Sequence, residues 1–420
     1  MAGSDSLTSA MRQMLAKFTT DFPTRRTYSK PITEPFTGRD VVLITGTTGS
    51  FGCHLLDALI AAHDVSRVYA LNRRSTKPLR ERQAAALQER GIDASILNSE
   101  KLILLESDIT AENWALPQSV FHEMHLSVTH VIHNAWRVNV IAKLPTFESV
   151  LQGLRNFIDF CLTSSLPSPP RLLFTSSMGV IQGAPRDMAI PEAAVLPELA
   201  VSNGYSQSKW IAEQMLFAAA ATTPLDPLVV RVGQLTGGKA GAWAPQEWFP
   251  VMVQSAPYVG CFADDPRDVL WVPFEIAAAA LLDFRKASNE THVVHLVHPQ
   301  PVIWHSLAAV ISSELSVPLV PFAEWLAKLE HAARSGSTDN MPQQITRAAQ
   351  LIPFLRSLLE AKLTTRLALS WPEVEEKRAL EASSTLADPA LRRLGADDVK
   401  RWIAYWERCG AMSRERPARL

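Results

Sequence analysis

The sequence predicts an α/β fold: a doubly wound parallel sheet carrying a smaller, mostly helical C-terminal substrate domain. Three observations predict it. Short apolar runs alternate with helical patterns from residue 41 to about residue 232; the first run passes through a turn with three glycines into a helix; and beyond residue 236 the alternation fades.

The first strand is Val41 to Ile44, followed by Thr45-Gly-Thr-Thr-Gly-Ser-Phe-Gly52 and then by the helical spacing Leu55, Leu56, Leu59 and Ile60. Glycines at 46, 49 and 52 allow a tight turn, a close approach of the backbone to a pyrophosphate and close packing of the following helix, whose N-terminus offers unpaired N–H groups to phosphate. A Rossmann-type dinucleotide site is expected there, built from Gly46, Thr47, Thr48, Gly49, Ser50, Phe51 and Gly52. The spacing is Gly-x-x-Gly-x-x-Gly, which by itself also occurs in plain turns.

Val68 to Leu71 is the second strand, and its tip reads Asn72-Arg73-Arg74 where an NAD enzyme places an acid for the ribose 2′-hydroxyl. A guanidinium there makes charge-assisted bonds to a 2′-phosphate, so NADPH is the expected cofactor. Arg73 is the first candidate and Arg82, in the next helix, the second; Arg74 and Arg80 read as solvated surface charges. Leu102 to Leu105 forms the third strand and ends in Glu106-Ser107-Asp108-Ile109, an acid suited to the adenine amino group. The fourth, Val128 to Ile132, ends in His133-Asn134-Ala135-Trp136. Ligands of such sheets sit beyond the carboxyl ends of the strands, so Gly46, Arg73, Asp108 and Asn134 converge on one crevice.

The fifth strand, Arg171 to Phe174, ends in Thr175-Ser176-Ser177, and Tyr205-Ser-Gln-Ser-Lys209 opens an amphipathic helix about thirty residues later. A tyrosine and a lysine four apart share one helical face. Lys209 is expected to lower the phenol's pKa and hold the nicotinamide ribose, Tyr205 to exchange a proton at a carbonyl oxygen, and a serine to hydrogen-bond that oxygen. Strand alternation puts Ser176 and Ser177 on opposite sides and leaves the choice open.

These residues resemble the extended short-chain dehydrogenase/reductase superfamily and, more narrowly, the terminal thioester reductase domain of fungal nonribosomal-peptide-synthetase-like and aminoadipate-reductase-like enzymes, related to carboxylic acid reductases. The matching stretches run over Val42 to Gly52, Val68 to Arg73, Ser127 to Val138, Gly204 to Trp210 and Val230 to Leu235, with Gly241-Ala-Trp243 and Glu247-Trp248, and cover most of residues 38–285. The resemblance implies Ser177, Tyr205 and Lys209 as the catalytic set. It implies Gly46 to Gly52, Arg73, Asp108, Ile109, Asn134, Ala135 and Trp136 as cofactor contacts, with Val232 beside the nicotinamide. It also implies an acyl group delivered as a phosphopantetheine thioester on a carrier domain and released as an aldehyde, or as an alcohol after a second hydride. Phe51, Asn139 and Ser177 stand where relatives often carry Leu, Asp and Thr; none of these removes a catalytic atom.

Two other functions use the same residues: a freestanding NADPH-dependent reductase of small aldehydes or ketones, and a catalytically silent NADP-binding module. Arg73 argues against nucleotide-sugar epimerases and dehydratases, which mostly hold NAD, and the intact Ser-Tyr-Lys set argues against a silent module.

The 420 residues, 47% hydrophobic with a formal net charge of −1, bury a full core and select no nucleic acid. The four cysteines, Cys53, Cys161, Cys261 and Cys409, lie far apart and read as reduced thiols, and no apolar run reaches membrane length, so a cytoplasmic protein is expected. Residues 1–36 read as a short helix (Leu7, Met11, Met14, Leu15) and a loose stretch that either tethers an upstream carrier domain or packs on the core, so the chain reads as an excised domain or a freestanding relative. Residues 37–285 form the NADP-binding domain and 286–420 the C-terminal substrate or carrier-docking region. Trp243, Trp248, Phe249, Tyr258 and Phe262 are expected in core packing ahead of an acyl pocket. Short strands are expected at Val269 to Val272 and His292 to Val297, where His292, His295 and His298 read as ordinary strand residues and no metal site is expected. Pro342 to Leu363 has helical spacing and Pro372 to Arg393 is charge-rich; both suit a lid or docking face.

Overall fold

The computed structural model describes residues 2–25, 38–335, 342–360 and 365–412. Seven strands make its centre: β1 (Asp40–Thr45), β2 (Val65–Arg73), β3 (Leu102–Ser107), β4 (His130–His133), β5 (Arg171–Ser177), β6 (Pro227–Val232) and β7 (Val293–Leu296). They lie in the order β7-β6-β5-β4-β1-β2-β3, and every neighbouring pair is parallel. The order reverses between β1 and β4, the switch point of a doubly wound sheet.

Side chains alternate along each strand, and the two faces collect different helices. Leu43, Tyr69, Val131, Leu172 and Phe174 face a core completed by α1 (Ala2–Ala16), α4 (Gln118–Ser127), α5 (Glu148–Thr163) and α6 (Gly204–Thr222). Val42, Ile44, Val68, Ile132 and Leu173 face the other way, against α2 (Ser50–Ala61) and α8 (Phe274–Phe284). Helix α3 (Leu79–Glu89) closes the β3 edge through Leu87, which packs with Cys53 and Leu97.

A second hydrophobic core lies beyond β6. It gathers α7 (Trp248–Val259), α9 (Trp304–Leu315), α10 (Phe322–Ser335), α11 (Gln343–Gln350), α12 (Ile352–Glu360) and α15 (Ala396–Arg408) around Trp243, Phe249, Trp304, Trp402 and Trp406. Trp243, Phe249 and Phe262 are buried in this core, with the Phe249 and Trp271 rings 4.6 Å apart, while Trp248 and Tyr258 pack partly buried at its margin. These aromatics fill the second core.

The sheet crosses the division expected at residue 285, because Val293–Leu296 pairs with Val229–Val232 and brings the C-terminal region back to the centre. Helices α13 (Lys377–Ala382) and α14 (Ser384–Ala387) follow in the charge-rich stretch, and Glu192 accepts hydrogen bonds from the backbone N–H groups of Arg378 and Ala379. At the other terminus α1 buries Met11 and Met14 in the same core as α6. The loose stretch read as a tether falls mostly at residues 26–37, outside the described residues, as do residues 361–364 at the end of the Pro342 to Leu363 pattern. Among the described residues no helix is long and apolar enough to cross a membrane.

Candidate active site

The glycine loop is shaped by close contacts. Gly46 has φ +77°, in the left-handed region, and a Cβ there would lie 3.1 Å from Ala135 at the tip of β4. A Cβ on Gly52 would fall on the carbonyl oxygen of Gly46 and lie 2.8 Å from its carbonyl carbon, so only glycine lets α2 start against the loop. The turn is closed by Gly49 N–H donating to Gly46 O at 3.1 Å.

Side chains brace this loop from below. Thr47 is fully buried: its hydroxyl donates to Gln83 Oε1 at 2.7 Å and accepts from Asn72 Nδ2 at 2.6 Å, while Gln83 Nε2 donates to Thr47 O at 2.9 Å. Asn72 Oδ1 also accepts from Thr48 N and Oγ1, both at 3.2 Å. The Thr47 hydroxyl is therefore spent inside the protein, leaving its backbone for a cofactor. Phe51 likewise turns inward, its ring 6.4 Å from that of Phe274, and Ser50 Oγ accepts from Arg90 at 3.1 Å.

At the tip of β2, Arg73 is exposed, whereas Arg82 is bound to Glu106 at 2.7 Å and to the carbonyl of Arg73 at 3.0 Å. Arg73 thus presents its guanidinium to solvent at the sheet end, whereas Arg82 is held by the carboxylate at the β3 tip. Arg74 and Arg80, read as solvated charges, donate to Ala115 O and Leu97 O at 2.8 and 2.9 Å. Asp108 accepts from Thr110 N and Oγ1 at 3.0 and 2.7 Å, which holds its pKa below the usual carboxylate value. Ile109 presses against α5 where Gly153 leaves room: a Cβ on that glycine would lie 2.5 Å from Ile109 Cδ1. Thr45 joins the tips of β1 and β4, its hydroxyl accepting from Asn134 N at 3.1 Å and Ala135 N at 2.9 Å.

The two serines of β5 separate as alternation requires. Ser176 points into the core and donates to Glu213 Oε1 at 2.6 Å. Ser177 is half-buried, accepts from Gly179 N at 3.1 Å, lies close enough to the Tyr205 phenol to act against the rise of its pKa, and pairs in register with Val232 of β6. Helix α6 starts with Asn203 accepting from Ser206 N at 2.9 Å, which aims its first turn at Ser177.

Lys209, one turn after Tyr205, is 2% exposed. Its Nζ donates to Thr175 O at 2.5 Å and lies 4.4 Å from the Trp136 ring centroid, 4.5 Å from that of Phe174 and 5.9 Å from that of Tyr205. Trp136 is held in place by its Nε1 donating to Ser208 Oγ at 3.2 Å. Burial pulls Lys209 well below the usual ammonium value, and the carboxylate of Glu213, one turn further along α6, acts against it. Tyr205 keeps a partly exposed edge, yet burial pushes its phenol up to about 12, with the Ser177 hydroxyl opposing and Glu247 adding to the rise. Desolvation outweighs the opposing influence, so the phenol lies above its ordinary value and Tyr205 is protonated at neutral pH.

Several residues in and around this site were given no role by the sequence. Glu247, at the N-terminus of α7, accepts from Trp243 Nε1 at 2.9 Å, and burial raises its carboxyl to about 7. Gln234, two residues past β6, accepts from Trp248 Nε1 at 2.7 Å. Glu213 sits four residues after Lys209, a helical spacing that was available as a signal. His295 is fully buried, its Nδ1 2.7 Å from Glu375 O and its Nε2 3.3 Å from Arg231, and His298 Nε2 lies 3.0 Å from Arg392 O. No cluster of three metal-ligating side chains occurs among the described residues.

A parallel sheet in this order, with a glycine turn at its switch point and Ser177, Tyr205 and Lys209 beside it, defines an extended short-chain dehydrogenase/reductase that binds a nicotinamide cofactor. The chain belongs to the Male sterility protein family of NAD-binding domains, whose model matches residues 44–281. It is 39% identical to the adenylate-forming reductase Nps10 of Heterobasidion annosum over 95% of this chain and 37% of that protein. The chain spans roughly a third of the length of the first three curated relatives it matches. Among solved structures it superposes on the terminal R domain of the myxalamid PKS-NRPS pathway with TM-score 0.77 at 20% identity, covering 96% of this chain and 99% of that one. It superposes on a thiolation-reductase di-domain of an archaeal nonribosomal peptide synthetase with TM-score 0.70 at 18% identity, covering 96% and 81%.

Proposed function

We propose that this chain carries out NADPH-dependent reductive release: an acyl group held as a phosphopantetheine thioester on a carrier domain is reduced to the aldehyde, and to the alcohol where a second hydride follows. The observation that carries this reading is the grouping of Ser177 and Tyr205 next to buried Lys209, at the same sheet end as the glycine loop and exposed Arg73.

The residues present fit the cofactor. The space that a Cβ would fill at Gly46 and Gly52 lets the backbone near a pyrophosphate, Arg73 would hold a 2′-phosphate, and Val232 and Lys209 would flank the nicotinamide and its ribose. When bound, NADPH supplies the hydride. Ser177 and Tyr205 hold the thioester carbonyl oxygen, and their hydrogen bonds strengthen as that oxygen becomes an oxyanion. Tyr205, protonated at neutral pH, gives its proton to the oxyanion. Collapse re-forms the carbonyl and breaks the C–S bond, and the proton leaves on the thiol. Tyr205, partly exposed, then recovers its proton from solvent, with Lys209 Nζ 5.9 Å from its ring centroid.

The test mixes purified protein with NADPH and either acyl-pantetheine thioesters or the matching free aldehydes, with Tyr205→Phe as control. Thioester-dependent loss of NADPH absorbance that vanishes in the variant supports reductive release. Turnover of aldehydes alone assigns a small-carbonyl reductase, and cofactor binding with no turnover of either assigns a silent module.

A further inference from the structure

We propose that residues 137–143 form the seat of the thiolation domain that delivers the acyl group, with Arg137 and Lys143 facing the phosphodiester of its pantetheine arm; this rests on the reductive-release reading. The segment is unusual for its apolar exposure. Val138 is 74% exposed, Ile141 70% and Val140 41%, three of the eight exposed large hydrophobic side chains among the described residues, within four residues of one another. Scattered exposed apolar residues need no explanation, but a cluster rimmed by charge marks an interaction surface.

The cluster is displayed by a formed turn. Asn139 Oδ1 accepts from Ile141 N at 3.0 Å and Ala142 N at 3.1 Å, so the backbone doubles back and Val138, Val140 and Ile141 face outward. Arg137 and Lys143 flank it, both exposed, and neither forms an ion pair among the described residues.

Its position ties it to the chemistry. It begins directly after Trp136, whose ring lies over Lys209 Nζ, and its end presses on the residue before Tyr205. A Cβ on Gly204 would meet Ala142 O and lie 2.6 Å from Leu144 N and 2.7 Å from Lys143 C. Just beyond, Phe147 sets its ring 6.5 Å from that of Tyr205. The segment thus runs beside Tyr205 and Lys209, between Trp136 and Phe147.

Charge selects the occupant. A phosphopantetheine arm leaves its carrier through a phosphodiester, so the surface that receives it must place cations close to an apolar contact beside the site, as residues 137–143 do. An acyl chain alone needs no cations there, and a two-fold contact of this face with itself would bring Arg137 and Lys143 against like charge.

The experiment uses the full chain and a fluorescently labelled fungal thiolation domain loaded with an octanoyl-phosphopantetheine arm. Binding is read by anisotropy, and turnover is compared with that of octanoyl-pantetheine free in solution. The variants are Val138→Asp with Ile141→Asp, and Arg137→Glu with Lys143→Glu, with NADPH affinity as the folding control. The proposal expects each pair to weaken carrier binding and raise KM for the carrier-bound substrate by about tenfold or more, with kinetics on free octanoyl-pantetheine unchanged and the charge pair losing its effect at high salt. Carrier binding absent in the unaltered chain, or equal in all variants, overturns it. An equal rise in KM for both substrates overturns it by making the segment part of the acyl site. A dimer of the unaltered chain that the variants dissolve overturns it in favour of self-association. Failure of the functional reading looks different: the carrier binds and the variants weaken it, but no substrate is reduced.

Discussion

Arg231 grips Glu213 with two prongs in the interior of the protein, Nη2 to Oε2 at 2.8 Å and Nε to Oε1 at 3.1 Å, with neither side chain exposed at all. The pair stands one helical turn past Lys209, and Ser176 completes it. Glu213 thereby does two things: it neutralises a guanidinium that β6 buries, and it opposes the desolvation of the lysine below Tyr205. Removing one member of a buried pair leaves an uncompensated charge, which costs about 3–5 kcal/mol. Glu213→Gln is expected to destabilise the protein by that order in urea unfolding. Glu213→Gln combined with Arg231→Met is expected to recover most of the stability while Lys209, without its carboxylate, still titrates lower. A double variant as unstable as the single one would contradict this.

Gly52→Ala is expected to abolish nicotinamide binding. Its methyl group would occupy the position of Gly46 O, which the first turn of α2 cannot yield without opening the loop. Isothermal titration with NADPH should show no saturable binding while far-ultraviolet dichroism stays close to that of the parent.

Arg73→Ala is expected to lower NADPH affinity by about ten- to a hundredfold and leave NADH affinity nearly unchanged, as loss of one charge-assisted contact worth about 1.5–3 kcal/mol requires. Arg82 cannot replace it, since Glu106 holds that guanidinium. Dissociation constants for both cofactors, measured on parent and variant, check the claim; an equal loss for both would move the 2′-phosphate site elsewhere.

Glu247→Gln is expected to alter the pH profile more than the rate at neutral pH. The carboxyl titrates at about 7, and its anion raises Tyr205. Because the folded value lies above the ordinary carboxyl value, native Glu247 keeps its proton where the unfolded chain has lost it. The parent therefore loses stability as pH rises from about 4.5 to 7, and the Gln variant lacks that decline. With the anion gone, the Tyr205 phenol loses a proton more easily, so the alkaline limb of kcat moves to lower pH. An unchanged alkaline limb would uncouple the two residues.

Much of the sheet could be read from residues alone, because a buried parallel strand must be an unbroken apolar run and its tip must carry whatever meets the ligand. Gly46, Arg73, Asp108, Asn134 and Ser177 all stand at such tips. The strand Val293–Leu296 was legible as a strand, but its place beside β6 was not, since pairing across some sixty residues of intervening chain leaves no local pattern. The same holds for Asn72 and Gln83, ordinary polar residues until Thr47 is seen between them, and for Glu247, whose partner Trp243 looked like plain core.

What the sequence determined by itself was the class of fold, the strand tips and the order in which chemistry-bearing residues follow one another, because these depend on local periodicity and on turns that only glycine permits. The tertiary structure decided which arginine stays available, what holds Ser176 away from the place that the resemblance gives to Ser177, and that burial raises the Tyr205 phenol. Those outcomes depend on desolvation and on partners brought from distant parts of the chain: Glu106 for Arg82, Glu213 for Ser176, and Glu247 for Tyr205.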